Sequence, residues 1–318
     1  MEKKYDVCCV GHMCTDILIK PVSRLPERGK LETVDSVVLK TGGCAMNTAI
    51  GLAKLGMKTA MVGKVGDDGF GDFMRVTLNE EGVFTDGLLR QPGGMTSASV
   101  VTIDEEGERT ILHCLGTNQS LSYEDIDVRE VLKAKYLFIG GGFLMPGFDG
   151  EGEARLLKEA QKHGVITLMD TAWDTSGRWL QTIEPCLKHL DWFMPSAEEA
   201  EQMFGTREPE ELARQVKARG VQNVVIKLGE DGCYIEEKGS TGRYFEIYPS
   251  QTVDTAGAGD SWCAGFIAAL ARGMALDDCA KFGNAVGSMC VTAVGTTAGI
   301  RSYEETLRYL EERENEKI

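Results

Sequence analysis

The string Asp254-Thr255-Ala256-Gly257-Ala258-Gly259-Asp260 closes a polar loop and opens an apolar, small-residue helix with a carboxylate at its mouth. Glycines let a backbone approach a ligand with no Cβ in the way, and the N–H groups of a first helical turn point outward with partial positive charge, so an anion fits there. Asp260 puts a negative charge beside that anion. This suits passive phosphate binding poorly, but it suits removal of a proton from a hydroxyl next to an incoming phosphoryl group. Gly257, Ala258 and Gly259 are then the anion-holding loop and Asp260 the base. The plain alternative is an Asp that complements a helix dipole after an ordinary tight turn.

Two further clusters have chemistry to offer. Thr41-Gly42-Gly43-Cys44-Ala45-Met46-Asn47 leads into a second helix, where Gly42 and Gly43 permit close approach and Asn47, one turn in, has an amide able to read a hydroxyl or to face solvent. Asp16 stands just past the first strand, and an acceptor-only carboxylate suits a polyol as well as it suits a surface position. No Walker A string and no complete Gly-x-Gly-x-x-Gly occurs, which excludes a P-loop enzyme. Lys227-Leu228-Gly229-Glu230-Asp231-Gly232 ends a strand in a glycine-rich turn. Ser196-Ala197-Glu198-Glu199 has the spacing of a helix N-cap and its capping-box partner.

The elements that must position these groups alternate. Strand patterns at Val7–Gly11, Thr59–Val65, Tyr136–Ile139, Val165–Asp170, Trp192–Met194 and Val224–Leu228 interleave with helical patterns at Ala45–Leu55, Phe70–Glu81, Glu153–Lys162, Ala197–Phe204 and Pro209–Arg219. Such a rhythm predicts an α/β fold, a doubly wound, mainly parallel sheet flanked by helices, with ligands beyond the carboxyl ends of the strands. Asp16–Lys20 with Thr33–Lys40, and Thr96–Asp104 with Arg109–Cys114 around Glu105-Glu106-Gly107, break the rhythm and predict a small accessory β-sheet.

Composition narrows the function. The 318 residues are 42% hydrophobic and 26% charged, as in a globular protein. A net charge of −15 with no basic stripe argues against a nucleic-acid partner and against acidic membrane surfaces. No run approaches spanning length, and the N-terminus lacks a signal-peptide pattern. Ten cysteines without a Cys-x-x-Cys pair, and four scattered histidines, read as reduced thiols of a cytoplasmic protein.

In these motifs the chain resembles the PfkB, or ribokinase-like, carbohydrate kinases. The C-terminal signature of that family is Asp-Thr-x-Gly-Ala-Gly-Asp, here residues 254–260. The N-terminal one is Gly-Gly-x-x-x-Asn ending in Leu-Gly, here Gly42 to Asn47 and Leu55-Gly56, and Val65-Gly66-Asp67-Asp68-Gly69-Phe70-Gly71 resembles the Gly-x-Asp-x-x-Gly stretch that follows. The resemblance implies a single ribokinase-like domain over 1–318. The accessory sheet, built from about 14–40 and 96–115, becomes a lid over the sugar site. ATP and Mg2+ are implied, with Asp16, Gly42, Gly43 and Asn47 binding substrate and Lys227, Gly229, Gly232 and Asn284 bordering the nucleotide. It also implies Glu199 acting on Mg2+ through water, and a monovalent cation, K+, near Asp254 and the Ala256 carbonyl.

The chain departs from the pattern where family members carry Asn-x-x-Glu, since Ser196 replaces the Asn. Cys44, standing where ribokinases have Lys, disfavours ribose itself. A free sugar as acceptor is preferred to a nucleoside because the lid segments offer polar Asp16, His113 and Asn118 rather than paired aromatics. A non-catalytic sugar or nucleotide binder on the same fold is the third reading. The edges of a lid sheet also predict a homodimer.

Overall fold

The computed structural model describes residues 3–316. Strand β1 (Tyr5–Gly11) is buried on both faces, with Cys8 and Val10 packing to one side of the sheet and Val7 and Cys9 to the other. The chain then leaves the main sheet: β2 (Cys14–Lys20) and β3 (Ser36–Gly42) pair antiparallel. It returns through α1 (Cys44–Lys54), β4 (Thr59–Gly66), α2 (Gly69–Glu80) and β5 (Phe84–Gln91). A second departure forms the predicted hairpin, β6 (Ala98–Ile103) and β7 (Arg109–Cys114).

The remaining elements are α3 (Val128–Val131), β8 (Ala134–Gly142), α4 (Glu151–Lys162), β9 (Ile166–Thr171), α5 (Leu180–Leu187), β10 (Trp192–Phe193), α6 (Ala197–Phe204), α7 (Pro209–Lys217), β11 (Asn223–Lys227), β12 (Cys233–Glu236), β13 (Arg243–Phe245), α8 (Ala258–Ala271), α9 (Leu276–Cys290) and α10 (Tyr303–Glu316).

The main sheet runs β13-β12-β11-β10-β9-β8-β1-β4-β5, and its pairings are parallel except for the two antiparallel ones that β12 makes with β11 and β13. One face carries the side chains of α4 to α7 around Leu156, Phe193 and Leu212, and the other those of α1, α2, α8 and α9 around Met46, Phe266 and Phe282. This is the doubly wound arrangement the alternation predicts. The smaller sheet runs β3-β2-β6-β7, and its central β2–β6 pair is parallel, which joins the two departures into one layer.

Asp68 fixes the way into the second departure. It caps α2 by accepting from Gly71 N at 2.9 Å, and it also accepts from Thr96 N at 2.7 Å and Thr96 Oγ1 at 2.6 Å. Strand β3 begins at Ser36, three residues later than the pattern predicts, and residues 21–35 between β2 and β3 hold no regular element. No helix among the described residues is long and apolar enough to cross a membrane.

Candidate active site

At the N-terminus of α8, Gly257 adopts φ 74°, and a Cβ there would lie 2.4 Å from Thr296 O. Only glycine suits that turn. Beyond it the N–H groups of Gly259 and Asp260 have no hydrogen-bond partner among the described residues, as the first turn of a helix requires, and Ala258 and Gly259 line a concavity. The loop is held from behind by Asp254, whose Oδ1 accepts from Ala256 N at 2.8 Å and whose Oδ2 accepts from Gly295 N at 2.9 Å. Arg109, at the start of β7 in the small sheet, reaches Asp254 Oδ1 at 2.5 Å. Burial works against that carboxylate, but the two N–H donors and the guanidinium hold its pKa below the ordinary value.

Helices α1 and α8 pack closely because Gly51 faces Ala264, where a Cβ on the glycine would stand 2.8 Å from the alanine Cβ. That approach lets Asn47 Nδ2 donate to Asp260 Oδ2 at 2.8 Å, while Asn47 Oδ1 accepts from Thr296 Oγ1 at 2.9 Å. Asn47 is therefore buried and directed at the carboxylate, not at solvent. Burial raises the Asp260 pKa, and the Asn47 hydrogen bond and the Lys227 charge pull it back.

The residues expected to meet substrate gather where β2 and β3 meet the start of α1. Gly42 on β3 stands against Asp16 on β2, where a Cβ would fall 2.3 Å from Asp16 Oδ2, so the glycine leaves room for the carboxylate. Gly43 caps α1 at φ 92°. Burial also raises the Asp16 pKa. Cys14 Sγ lies 3.5 Å from Asp16 Oδ1 and 3.1 Å from Ser99 Oγ, which in turn lies 3.1 Å from His113 Nδ1. His12 sits beside them, its imidazole kept neutral by burial and by His113, which push its pKa down to about 3. Asn118, counted from sequence among the polar groups of the lid, is instead fully buried, its Nδ2 donating to Met13 O at 2.8 Å.

A cavity of about 540 Å³ opens on the far side of the loop, with Lys227, Gly229, Gly232, Ala258, Gly259 and Asn284 on its wall and Ile247, Tyr248, Pro249 and Val291 supplying apolar surface. Lys227 Nζ donates to Asp170 Oδ2 at 2.5 Å. Burial disfavours its charge, yet Asp170 prevails and the ammonium pKa is raised. Gly232 is buried at φ 92°, its Cβ position 2.0 Å from Phe245 O, so it shapes the wall by letting the β13 backbone pass.

The geometry revises the expectation for Asn284. Its Nδ2 donates to the Phe245 and Glu246 carbonyls, each at 2.9 Å, and its Oδ1 accepts from Trp262 Nε1 at 2.7 Å. Both N–H donors of the amide are used in holding the wall together, so it has no donor left to read a base edge. At α6 the capping box forms, with Ser196 Oγ accepting from Glu199 N at 3.3 Å and Glu199 Oε2 accepting from Ser196 N at 3.1 Å and Thr171 Oγ1 at 2.9 Å. Glu199 Oε1 lies outside that box.

Arg109, Thr296 and Asp170 were not found from sequence. Arg109 and Thr296 have no local signature, while Asp170, an acid at the carboxyl end of a buried strand, carries a signal that could have found it.

Residues 4–302 match the pfkB family of carbohydrate kinases. An uncharacterized sugar kinase of Archaeoglobus fulgidus is 30% identical over 252 residues, which are 79% of this chain and 98% of the relative. A 5-dehydro-2-deoxygluconokinase of Geobacillus thermodenitrificans is 29% identical, covering 98% of this chain and 94% of its own. Among solved structures, Arabidopsis thaliana ribokinase complexed with ribose and ATP superposes with a TM-score of 0.84 at 24% identity, over 98% of this chain and 99% of that one.

Proposed function

The chain belongs to the pfkB family of ATP-dependent carbohydrate kinases, and we propose that it transfers the γ-phosphoryl group of ATP to a primary hydroxyl of a small free sugar, with Asp260 as general base. The observation that carries this reading is the Asn47–Asp260 hydrogen bond at the N-terminus of α8, which holds a half-buried carboxylate directly after Ala258 and Gly259, two residues that line the cavity of about 540 Å³. Residues 1–318 act as one kinase unit, with β2, β3, β6 and β7 as its lid.

In the reaction Asp260 takes the proton of the substrate hydroxyl as that oxygen attacks the γ-phosphorus, and the bond to the bridging oxygen breaks to leave ADP. The unpartnered N–H groups of Gly259 and Asp260 receive the charge on the transferring group, each preorganised donor contributing on the order of 3–4 kcal/mol. Asp16 accepts from substrate hydroxyls, and Gly42 and Gly43 let the sugar approach the backbone. Lys227, Gly229 and Gly232 border the nucleotide phosphates and ribose.

Bound Mg2+ would neutralise phosphate charge, and Glu199 Oε1, outside the capping box, suits a cation that keeps most of its waters. A potassium ion fits less well. Both Asp254 oxygens already accept backbone N–H groups, and Arg109 supplies a positive charge 2.5 Å from Oδ1, so no step needs the ion.

The lid also carries exposed Val37, Leu39, Ile111 and Leu112 on its two edge strands, which supports a homodimer formed through the lid and is testable by light scattering. All ten cysteines are unpaired, in keeping with the reducing cytoplasm. ADP release measured across pentoses, hexoses, sugar acids and nucleosides tests the assignment. Turnover with a free sugar supports it; turnover with nucleosides alone makes the protein a nucleoside kinase, and ligand binding without turnover makes it a binder.

A further inference from the structure

His12 presents an unusual imbalance. It is 6% exposed, and neither Nδ1 nor Nε2 has a hydrogen-bond partner among the described residues. A buried donor or acceptor left unmade typically costs about 1–3 kcal/mol, so a native structure seldom keeps such a ring unless something else occupies it. The main chain at His12 is fixed, because its backbone N–H donates to Gly140 O at 3.0 Å. Around it stand soft ligands: one nitrogen each of His12 and His113 and the sulfur of Cys14 lie within 4.8 Å of one another. The two imidazoles meet edge to face at 5.5 Å between centroids.

We propose that His12, Cys14 and His113 bind a zinc-class divalent cation, with Asp16 as the fourth ligand, and that this cation competes with the sugar. Two imidazoles and a thiolate select zinc or cobalt over magnesium, which prefers oxygen ligands in an octahedron. Tetrahedral zinc, with Zn–N of about 2.0 Å and Zn–S of about 2.3 Å, sets its ligand atoms roughly 3.3–3.7 Å apart, so shifts of about 1 Å close the His12, Cys14 and His113 set, and Asp16, outside that group, turns further to join it. Asp16 Oδ1 is already 3.5 Å from Cys14 Sγ. On binding, the Cys14 thiol releases its proton to solvent and the thiolate forms the metal–sulfur bond. His113 comes from the lid hairpin and His12 from the end of β1, so the ion would tie the lid to the main sheet while occupying Asp16. Competition with sugar rests on the reading of Asp16 as a substrate ligand; metal binding itself does not.

The test separates the two. The full chain, free of sugar and ATP, is titrated with Co2+ and followed by its visible ligand-field bands and near-ultraviolet thiolate-to-cobalt charge transfer. One equivalent should bind, Zn2+ should bleach the spectrum, and Cys14→Ser should lack the charge-transfer band. Removing a ligand with His113→Ala, on the exposed lid strand, should weaken binding by more than the roughly tenfold to hundredfold typical of outer-shell changes. No charge-transfer band, or one that survives Cys14→Ser, overturns the site. In turnover assays Zn2+ should raise the apparent KM for sugar without lowering kcat, and do so far less in His113→Ala relative to that variant's own zinc-free rate. One equivalent bound at Cys14 with no change in the sugar KM overturns the competition.

Discussion

Asn47→Ala removes the 2.8 Å hydrogen bond that reaches Asp260 Oδ2 from 213 residues away. A hydrogen bond to a charged group contributes about 1.5–3 kcal/mol, and this one favours the ionised form of the carboxylate, the form a general base needs. Burial has already raised the Asp260 pKa, and the Asn47 bond is the largest influence opposing it. Its loss moves the pKa further up. Activity that depends on ionised Asp260 is present above that pKa and lost as pH falls through it, so the acid limb of kcat/KM moves to higher pH. Below the limb the ionised fraction, and with it the rate, falls about ten- to a hundredfold by the same energy, while well above it the loss is small. The assay is kcat/KM for sugar against pH at saturating ATP, with melting temperature measured alongside. Thr296→Val, which removes the 2.9 Å bond to Asn47 Oδ1, should shift the limb in the same direction by less. An equal loss at every pH with the limb unmoved would refute the reasoning and make Asn47 a substrate contact or a purely structural group.

Other outcomes follow from the same site. Gly257→Ala must place a Cβ at φ 74° against Thr296 O; strain of about 1–3 kcal/mol should lower the melting temperature and kcat together, and an unchanged pair of values would sink the loop geometry. Lys227→Met strands the 2% exposed Asp170 carboxylate and should destabilise the fold by about 3–5 kcal/mol in chemical denaturation, with an unmoved midpoint as the contrary result. The wild type should turn over equally in potassium and tetramethylammonium, while Arg109→Ala, which uncovers Asp254, should make the rate potassium-dependent; stimulation of the wild type would restore the ion to the scheme.

The parts legible in sequence were those whose cause is local. Alternation between β1 and β11 follows from apolar runs of the right length, and the α6 start follows from a Ser-x-x-Glu spacing that the structure turns into a capping box. Strand β5 escaped because Asp86 and Gly87 interrupt it and much of its surface is exposed, which leaves neither a continuous apolar run nor a clean alternation. In the site, the glycines at 42, 43 and 257 announced themselves because close approach and positive φ admit little else. The partners did not. Asn47 reads locally as a helix residue, and its bond to Asp260 exists only because Gly51 and Ala264 let two distant helices touch. Arg109 reads locally as the first residue of a hairpin strand, and Asn284 as a polar residue in an apolar helix whose three bonds lie in other elements.

Asp260→Asn tests the central claim most directly, because it keeps the shape and removes the charge of the proposed base. With ATP and the best acceptor, kcat should fall roughly 10²–10⁴-fold, the range of general-base contributions, while calorimetric affinities for sugar and ATP stay near those of the wild type. Turnover close to the wild-type rate would contradict the account.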